Sequence, residues 1–126
     1  MMQRRAERVT PPLGAVLHGF DLSRVMSSGD EDAVDDVVQA VYDALIEHQV
    51  VFFRDEPLAP EQHAELGRRL GSLAPRHHSY DTLPDHPDVV VLEWHPGDRP
   101  DALEWHSDVT FSPTPPFASI LKAVVV

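Results

Sequence analysis

The sequence predicts an α+β protein, and three observations carry that prediction. Residues 30–48 repeat apolar side chains at helical period. Residues 60–70 have helix signals at both ends, and several short runs of β-formers lie around these two segments without a helical period.

In chain order, residues 1–12 read as a frayed lead-in, since Pro11 and Pro12 oppose an early helix. Over residues 13–22, small and apolar residues alternate irregularly around Gly14 and Gly19, which predicts a short strand and a turn. Ser28 and Glu31 stand at capping-box spacing. Val34, Val37, Val38, Val41 and Leu45 then fall on one helical face, so residues 30–48 form an amphipathic helix. The apolar run Gln49-Val50-Val51-Phe52-Phe53 reads as a buried strand. Pro60 occupies a first helical position, Leu66 and Leu70 share a face, and Gly71 is placed as a C-terminal cap, so residues 60–70 are a second helix.

Residues 74–88, dense in proline and histidine, read as an irregular loop, residues 88–94 as a strand, and residues 95–101 as a turn. Pro113, Pro115 and Pro116 interrupt the chain before a last strand at residues 119–126. That strand is apolar and meets the chain end without a turn, cap or polar tail, an edge that native proteins normally cover. The expectation is that residues 1–126 are the N-terminal part of a single domain that continues further.

Composition narrows the function. Apolar residues at 42% and charged residues at 25% are those of a globular chain, and no apolar run is long enough to span a membrane. A net charge of −11 argues against nucleic acid and anionic membrane as partners, since both select basic faces. The acid cluster Asp30, Glu31, Asp32, Asp35 and Asp36 reads as a solvated helix N-terminus. No signal-peptide core follows the charged N-terminus and the chain has no cysteine, which fits a cytoplasmic protein. Any metal must then be held by histidine and carboxylate.

The stretch Glu104-Trp105-His106-Ser107-Asp108-Val109-Thr110-Phe111 supplies such a pair. Read as extended chain, it points His106 and Asp108 to the same side. An imidazole and a carboxylate are two of the three ligands in the facial arrangement of non-haem Fe(II) oxygenases. With eight histidines in so aspartate-rich a chain, about one His-x-Asp is expected by chance. His86-Pro87-Asp88, in a loop-like context, is read as that chance match, and His77-His78 as a surface pair. Trp105 and Phe111 flank His106 and are expected to wall it from water, with the Thr110 hydroxyl close by.

The wider pattern is more specific. Residues 105–111, then Pro115-Pro116 and Ala118-Ser119-Ile120-Leu121, resemble the first metal-ligand motif of the taurine dioxygenase family of Fe(II)/2-oxoglutarate-dependent oxygenases. Gly14-Ala15, Gly19 with Asp21-Leu22-Ser23, residues 48–55 and Leu70-Gly71 follow the family's order upstream. The resemblance implies a double-stranded β-helix (jelly-roll) fold, with His106 and Asp108 as iron ligands. It also implies that Val109 lines the substrate pocket, with Tyr80, His78 and His77 on a substrate-facing loop. Ala102 stands where the taurine-hydroxylating relative has asparagine, which argues against taurine itself. The family's second histidine ligand and the arginine that binds 2-oxoglutarate would lie beyond Val126, and neither Arg76 nor Arg99 matches that arginine.

The implied activity is hydroxylation of a small sulfonate, alkyl sulfate or similar anion. Fe(II) is the cofactor, 2-oxoglutarate the cosubstrate, dioxygen and the small molecule the partners, and a homo-oligomer is expected. The alternatives are a truncated, non-catalytic remnant of such an enzyme and a small metal-binding or interaction module.

Overall fold

In a computed structural model, the described residues are 3–75, 79–99 and 104–124. The chain forms two compact units, Met1–Leu70 and Gly71–Val126.

The first unit is built on a three-stranded sheet in the order β1-β2-β3, with β1 at Arg5–Arg8, β2 at Ala15–His18 and β3 at Val51–Phe53. The β1 strand runs antiparallel to β2, pairing Arg5 with His18 and Arg8 with Ala15. The expected frayed lead-in is therefore a strand from Arg5 onward. All four of its residues are exposed, so it carries no apolar alternation to read. Charge lines it instead: Glu7 accepts from Arg5 at 3.0 Å and meets His18 Nε2 at 3.1 Å. The Arg5 guanidinium, and His18 after it, hold the Glu7 carboxyl below its usual range.

Strand β3 runs parallel to β2, which requires a crossover, here helices α1 (Leu22–Met26) and α2 (Glu31–His48). Val34, Val37, Val38 and Val41 are buried as the period predicts. They share the core with Ala15 and Leu17 of β2, Leu22 and Val25 of α1, and Ala64 and Leu66 of α3 (Pro60–Leu70). Phe20 packs edge-on against Phe53 at 5.8 Å, an arrangement suited to the ring quadrupoles. Gly14 leads into β2 with φ +89°, and its N–H donates to the His48 carbonyl at 2.9 Å. A side chain there would be strained, and the end of α2 would lose its tie to the sheet.

The N-cap of α2 is Asp30, whose carboxylate accepts from the Ala33 N–H at 3.1 Å, worth about 1 kcal/mol. This replaces the expected Ser28–Glu31 box. Ser28 instead donates to the Val25 carbonyl at 2.7 Å and accepts from the Asp30 N–H, closing the turn after α1. Helix α1 begins at left-handed Asp21 without a cap from its own side chain. The Glu56 carboxylate takes that place, accepting from the N–H groups of Leu22 and Ser23. Gln62 reaches back to the Ala59 N–H at 2.8 Å, as a third-position glutamine does in a capping box. Its amide also donates to the Ser23 carbonyl at 2.8 Å, pinning α3 to α1. Pro60 does open α3, whereas Gly71 follows it without the left-handed φ expected of a cap glycine.

Arg69 joins α3 to α2, reaching Glu65 at 2.8 Å, Asp35 at 3.0 Å and Glu31 at 2.7 Å. The Arg69 hydrogen bond is the main reason the Glu65 carboxyl sits below its ordinary value of 4.5. A depressed folded pKa adds stability that is present above the unfolded value and lost as pH falls through the folded one. Arg69→Met is therefore expected to lower stability at neutral pH, with a deficit that shrinks as pH falls through the ordinary glutamate range and below it. Urea titrations at stepped pH measure it, and a deficit unchanged down to about pH 3 would contradict the assignment.

In the second unit, β4 (Thr82–Leu83) and β5 (His86–Val90) form an antiparallel hairpin. The predicted loop at residues 74–88 is corrected here, since its end is paired strand. Leu83 pairs with His86 across Pro84-Asp85, a turn dipeptide in which proline presets φ. The strand expected at residues 88–94 starts earlier and ends at Val90. The turn within residues 95–101 is present: Gly97 takes φ +97° and the Asp98 N–H donates to the His95 carbonyl. Residues 119–124 join no ladder, so the expected final strand is absent among the described residues. The jelly roll itself is not visible in the two small sheets. Among the described residues, no helix is long and apolar enough to cross a membrane.

Candidate functional site

The stretch around His106 is not a strand. It runs unpaired through Ser107 and turns at Asp108–Thr110, with Val109 at φ +54° and the Ser112 N–H donating to the Val109 carbonyl at 3.0 Å. A β-branched residue at that φ is an outlier, and a sequence of β-formers gives no warning of it. The expected pair is nonetheless together: His106 Nε2 lies 3.3 Å from Asp108 Oδ1.

The surrounding contacts define the chemistry. His106 Nδ1 is 2.8 Å from the Glu104 carbonyl oxygen, which can only accept, so Nδ1 carries the proton in that contact. In the neutral ring, Nε2 then presents a lone pair toward a carboxylate oxygen. Two acceptors facing each other at 3.3 Å call for a proton or a cation between them. The other carboxylate oxygen, Oδ2, accepts from the Ser119 hydroxyl at 3.3 Å. A backbone carbonyl behind the imidazole and a hydroxyl behind the carboxylate are the outer partners that orient metal ligands.

The donor set fits Fe(II). Imidazole nitrogen and carboxylate oxygen suit such a metal, and bonds of about 2.1 Å at a right angle separate two donors by about 3.0 Å. Both side chains are exposed, at 54% and 58%. The expected apolar wall is not there, since Trp105 is 104% exposed and Phe111 86%. In a strand Trp105 and Phe111 would lie on the face opposite His106 and Asp108, so alternation could not have set them beside the pair. Among the described residues, no group of three histidine or carboxylate side chains could hold a metal.

Val109 is half-buried next to Asp108. Tyr80 lines a separate pocket of about 490 Å³ with Asp81, Glu93, Trp94, Asp98 and Arg99. Carboxylates outnumber cations there, so that pocket is not by itself an anion site. His77 and His78 lie outside the described residues. His86 and Asp88 lie on β5 rather than in a loop, so strand geometry sets them on one face after all. Ser119 and the Glu104 carbonyl had no role in the sequence reading. No spacing rule links a serine to a carboxylate eleven residues earlier, and a carbonyl is invisible to any motif.

Residues 5–126 match the family described as "Taurine catabolism dioxygenase TauD, TfdA family", and the chain belongs to it. Two relatives are similar across nearly all of it. An alkylsulfatase from Acinetobacter baylyi is 31% identical over 124 residues, 98% of this chain and 36% of that protein. An alpha-ketoglutarate-dependent sulfate ester dioxygenase from Pseudomonas putida is 33% identical over 117 residues, 93% and 37% respectively. A crystal structure from Burkholderia xenovorans, named an alpha-ketoglutarate-dependent taurine dioxygenase, superposes with a TM-score of 0.54 at 26% identity. That likeness covers 68% of this chain and 28% of the other. The chain thus spans about a third of the length of the relatives it matches.

Proposed function

We propose that this chain contributes His106 and Asp108 as metal ligands to an Fe(II)- and 2-oxoglutarate-dependent dioxygenase that oxidises a small organic anion. One observation carries the reading: His106 Nε2 faces Asp108 Oδ1 at 3.3 Å while Nδ1 is held by the Glu104 carbonyl. The names of the relatives support the reaction class, and two of them point to sulfate esters. A sulfonate remains within the class because the Burkholderia xenovorans protein is named for taurine. The chain is read as a portion of one double-stranded β-helix domain, in a homo-oligomeric cytoplasmic enzyme.

Iron and 2-oxoglutarate, when bound, supply with dioxygen the oxidation of a substrate C–H bond and the release of succinate and CO2. The residues of this chain prepare that chemistry. His106 would offer Nε2 to the metal while its Nδ1–H donates to the Glu104 carbonyl, which orients the ring and favours that tautomer. Asp108 would bring one negative charge against the dication. Val109, adjacent to the ligands, would face the substrate in this reading, and the family resemblance assigns Tyr80, His78 and His77 to the substrate's polar side.

The test is succinate formation from 2-oxoglutarate with Fe(II) and ascorbate, with an alkyl sulfate or a sulfonate supplied. The 126-residue chain is expected to be silent, because two donors hold iron weakly. The same chain joined to the rest of a family-length domain is expected to be active, and to lose at least about 100-fold with Asp108→Ala. Activity indifferent to Asp108→Ala would place the metal elsewhere and end the proposal.

A further inference from the structure

We propose that Ser119 is the positioning residue for Asp108, holding one carboxylate oxygen so that only the other is offered to the metal. The inference rests on the metal reading above and deepens it. A carboxylate turns readily about its last torsion, which has broad, two-fold minima. Unrestrained, Asp108 could offer either oxygen, or both at once. In the structure the two oxygens are distinguished: Oδ1 stands 3.3 Å from His106 Nε2, and Oδ2 accepts the Ser119 hydroxyl at 3.3 Å.

Ser119 reaches that position from eleven residues down the chain. The intervening Pro113, Pro115 and Pro116 each fix a backbone φ and narrow the paths the return can take. The Thr114 N–H donates to Ser112 Oγ at 3.2 Å, a further local tie in the same return. The hydroxyl that meets Asp108 Oδ2 is that of Ser119. A hydroxyl–carboxylate bond is usually about 2.7–2.8 Å, so this longer contact directs the carboxylate more than it strengthens it. Its consequence is binding through one oxygen, which leaves a coordination position for another ligand that a chelating carboxylate would fill.

Co(II), titrated anaerobically into the full chain, reports both affinity and coordination through its visible absorption. Ser119→Ala is expected to weaken Co(II) about 10-fold, the low end of what loss of an outer partner does. It is also expected to change the absorption bands, because the released carboxylate chelates. Ser119→Thr keeps the hydroxyl and is expected to restore both the affinity and the bands. Ser119 is exposed, so neither variant threatens the core.

If Ser119→Ala binds Co(II) with unchanged affinity and bands while Asp108→Ala loses it, this inference falls and the ligand assignment stands. If Ser119→Thr behaves as Ser119→Ala while far-UV circular dichroism matches the parent, the hydroxyl is not the agent and the inference falls again. If Asp108→Ala binds as the parent does, both readings fall together.

Discussion

Replacing His106 and Asp108 together with alanine is expected to weaken Co(II) or Fe(II) binding by about 100-fold or more. That exceeds the 10–100-fold change that follows from losing a partner behind a ligand. The parent affinity should itself be modest, since two protein donors hold a divalent metal less firmly than three. Each single variant should lie between, with Asp108→Ala the more damaging because it removes the charge. His86→Ala and Asp88→Ala are the controls, expected to stay within about twofold. They are demanding controls, because that pair also shares a face of a strand. The orienting contacts behind the first pair favour it. His106 has a carbonyl on Nδ1 and Asp108 a hydroxyl on Oδ2. Anaerobic calorimetry decides between them. Binding that survives the double variant but is lost in His86→Ala would mean that the wrong pair has been chosen.

Leu22→Ala is expected to cost about 2–5 kcal/mol, the range for removing a buried leucine side chain. Leu22 is completely buried where α1 leaves β2, and its N–H is held by Glu56 at 3.2 Å. A unit of this size has total stability on the order of 3–10 kcal/mol, so the loss takes a large share. The described helices α1, α2 and α3 all lie in Met1–Leu70, while Trp94 and Trp105 lie in Gly71–Val126. Urea unfolding followed by far-UV circular dichroism therefore reads the affected unit, and tryptophan fluorescence reads the other. A shift smaller than about 1 kcal/mol in the helical signal would show that the site collapses around the cavity.

What the sequence made legible follows the strength of each local rule. Helix α2 declares itself because four valines repeat at helical period and every one of them is buried. Helix α3 begins at its proline because nothing else about that residue suits a helix interior. Strand β1 was hidden because its partner, not its own pattern, makes it a strand: Arg5 and Glu7 satisfy one another and His18 across the ladder. The cap fell on Asp30 and not Ser28 because both can cap, and only the path of the turn after α1 decides which carboxylate or hydroxyl faces Ala33.

At the candidate site, His106 and Asp108 were named correctly as neighbours but for a geometric reason that does not hold. Residues two apart meet on one side of a strand; here the pair meets in unpaired chain, and the left-handed Val109 follows it. Trp105 and Phe111 both stand out in solvent, and even in a strand they would have faced away from the pair.

The conformation of Val109 also bears on what could be excised from this protein. A β-branched residue held at φ +54° sits about 1–3 kcal/mol above its relaxed backbone. It stays there only while its surroundings hold it, among them Ser112, which closes the turn, and Ser119, which reaches Asp108 from beyond the prolines. A short peptide cut from residues 104–112 would keep the motif and Ser112 but lose Ser119, and with it the hydroxyl that holds Asp108 Oδ2. The imidazole and the carboxylate are thus a property of the assembled segment and not of the letters His-x-Asp, so transplanting those letters into another loop would carry the donors without their alignment.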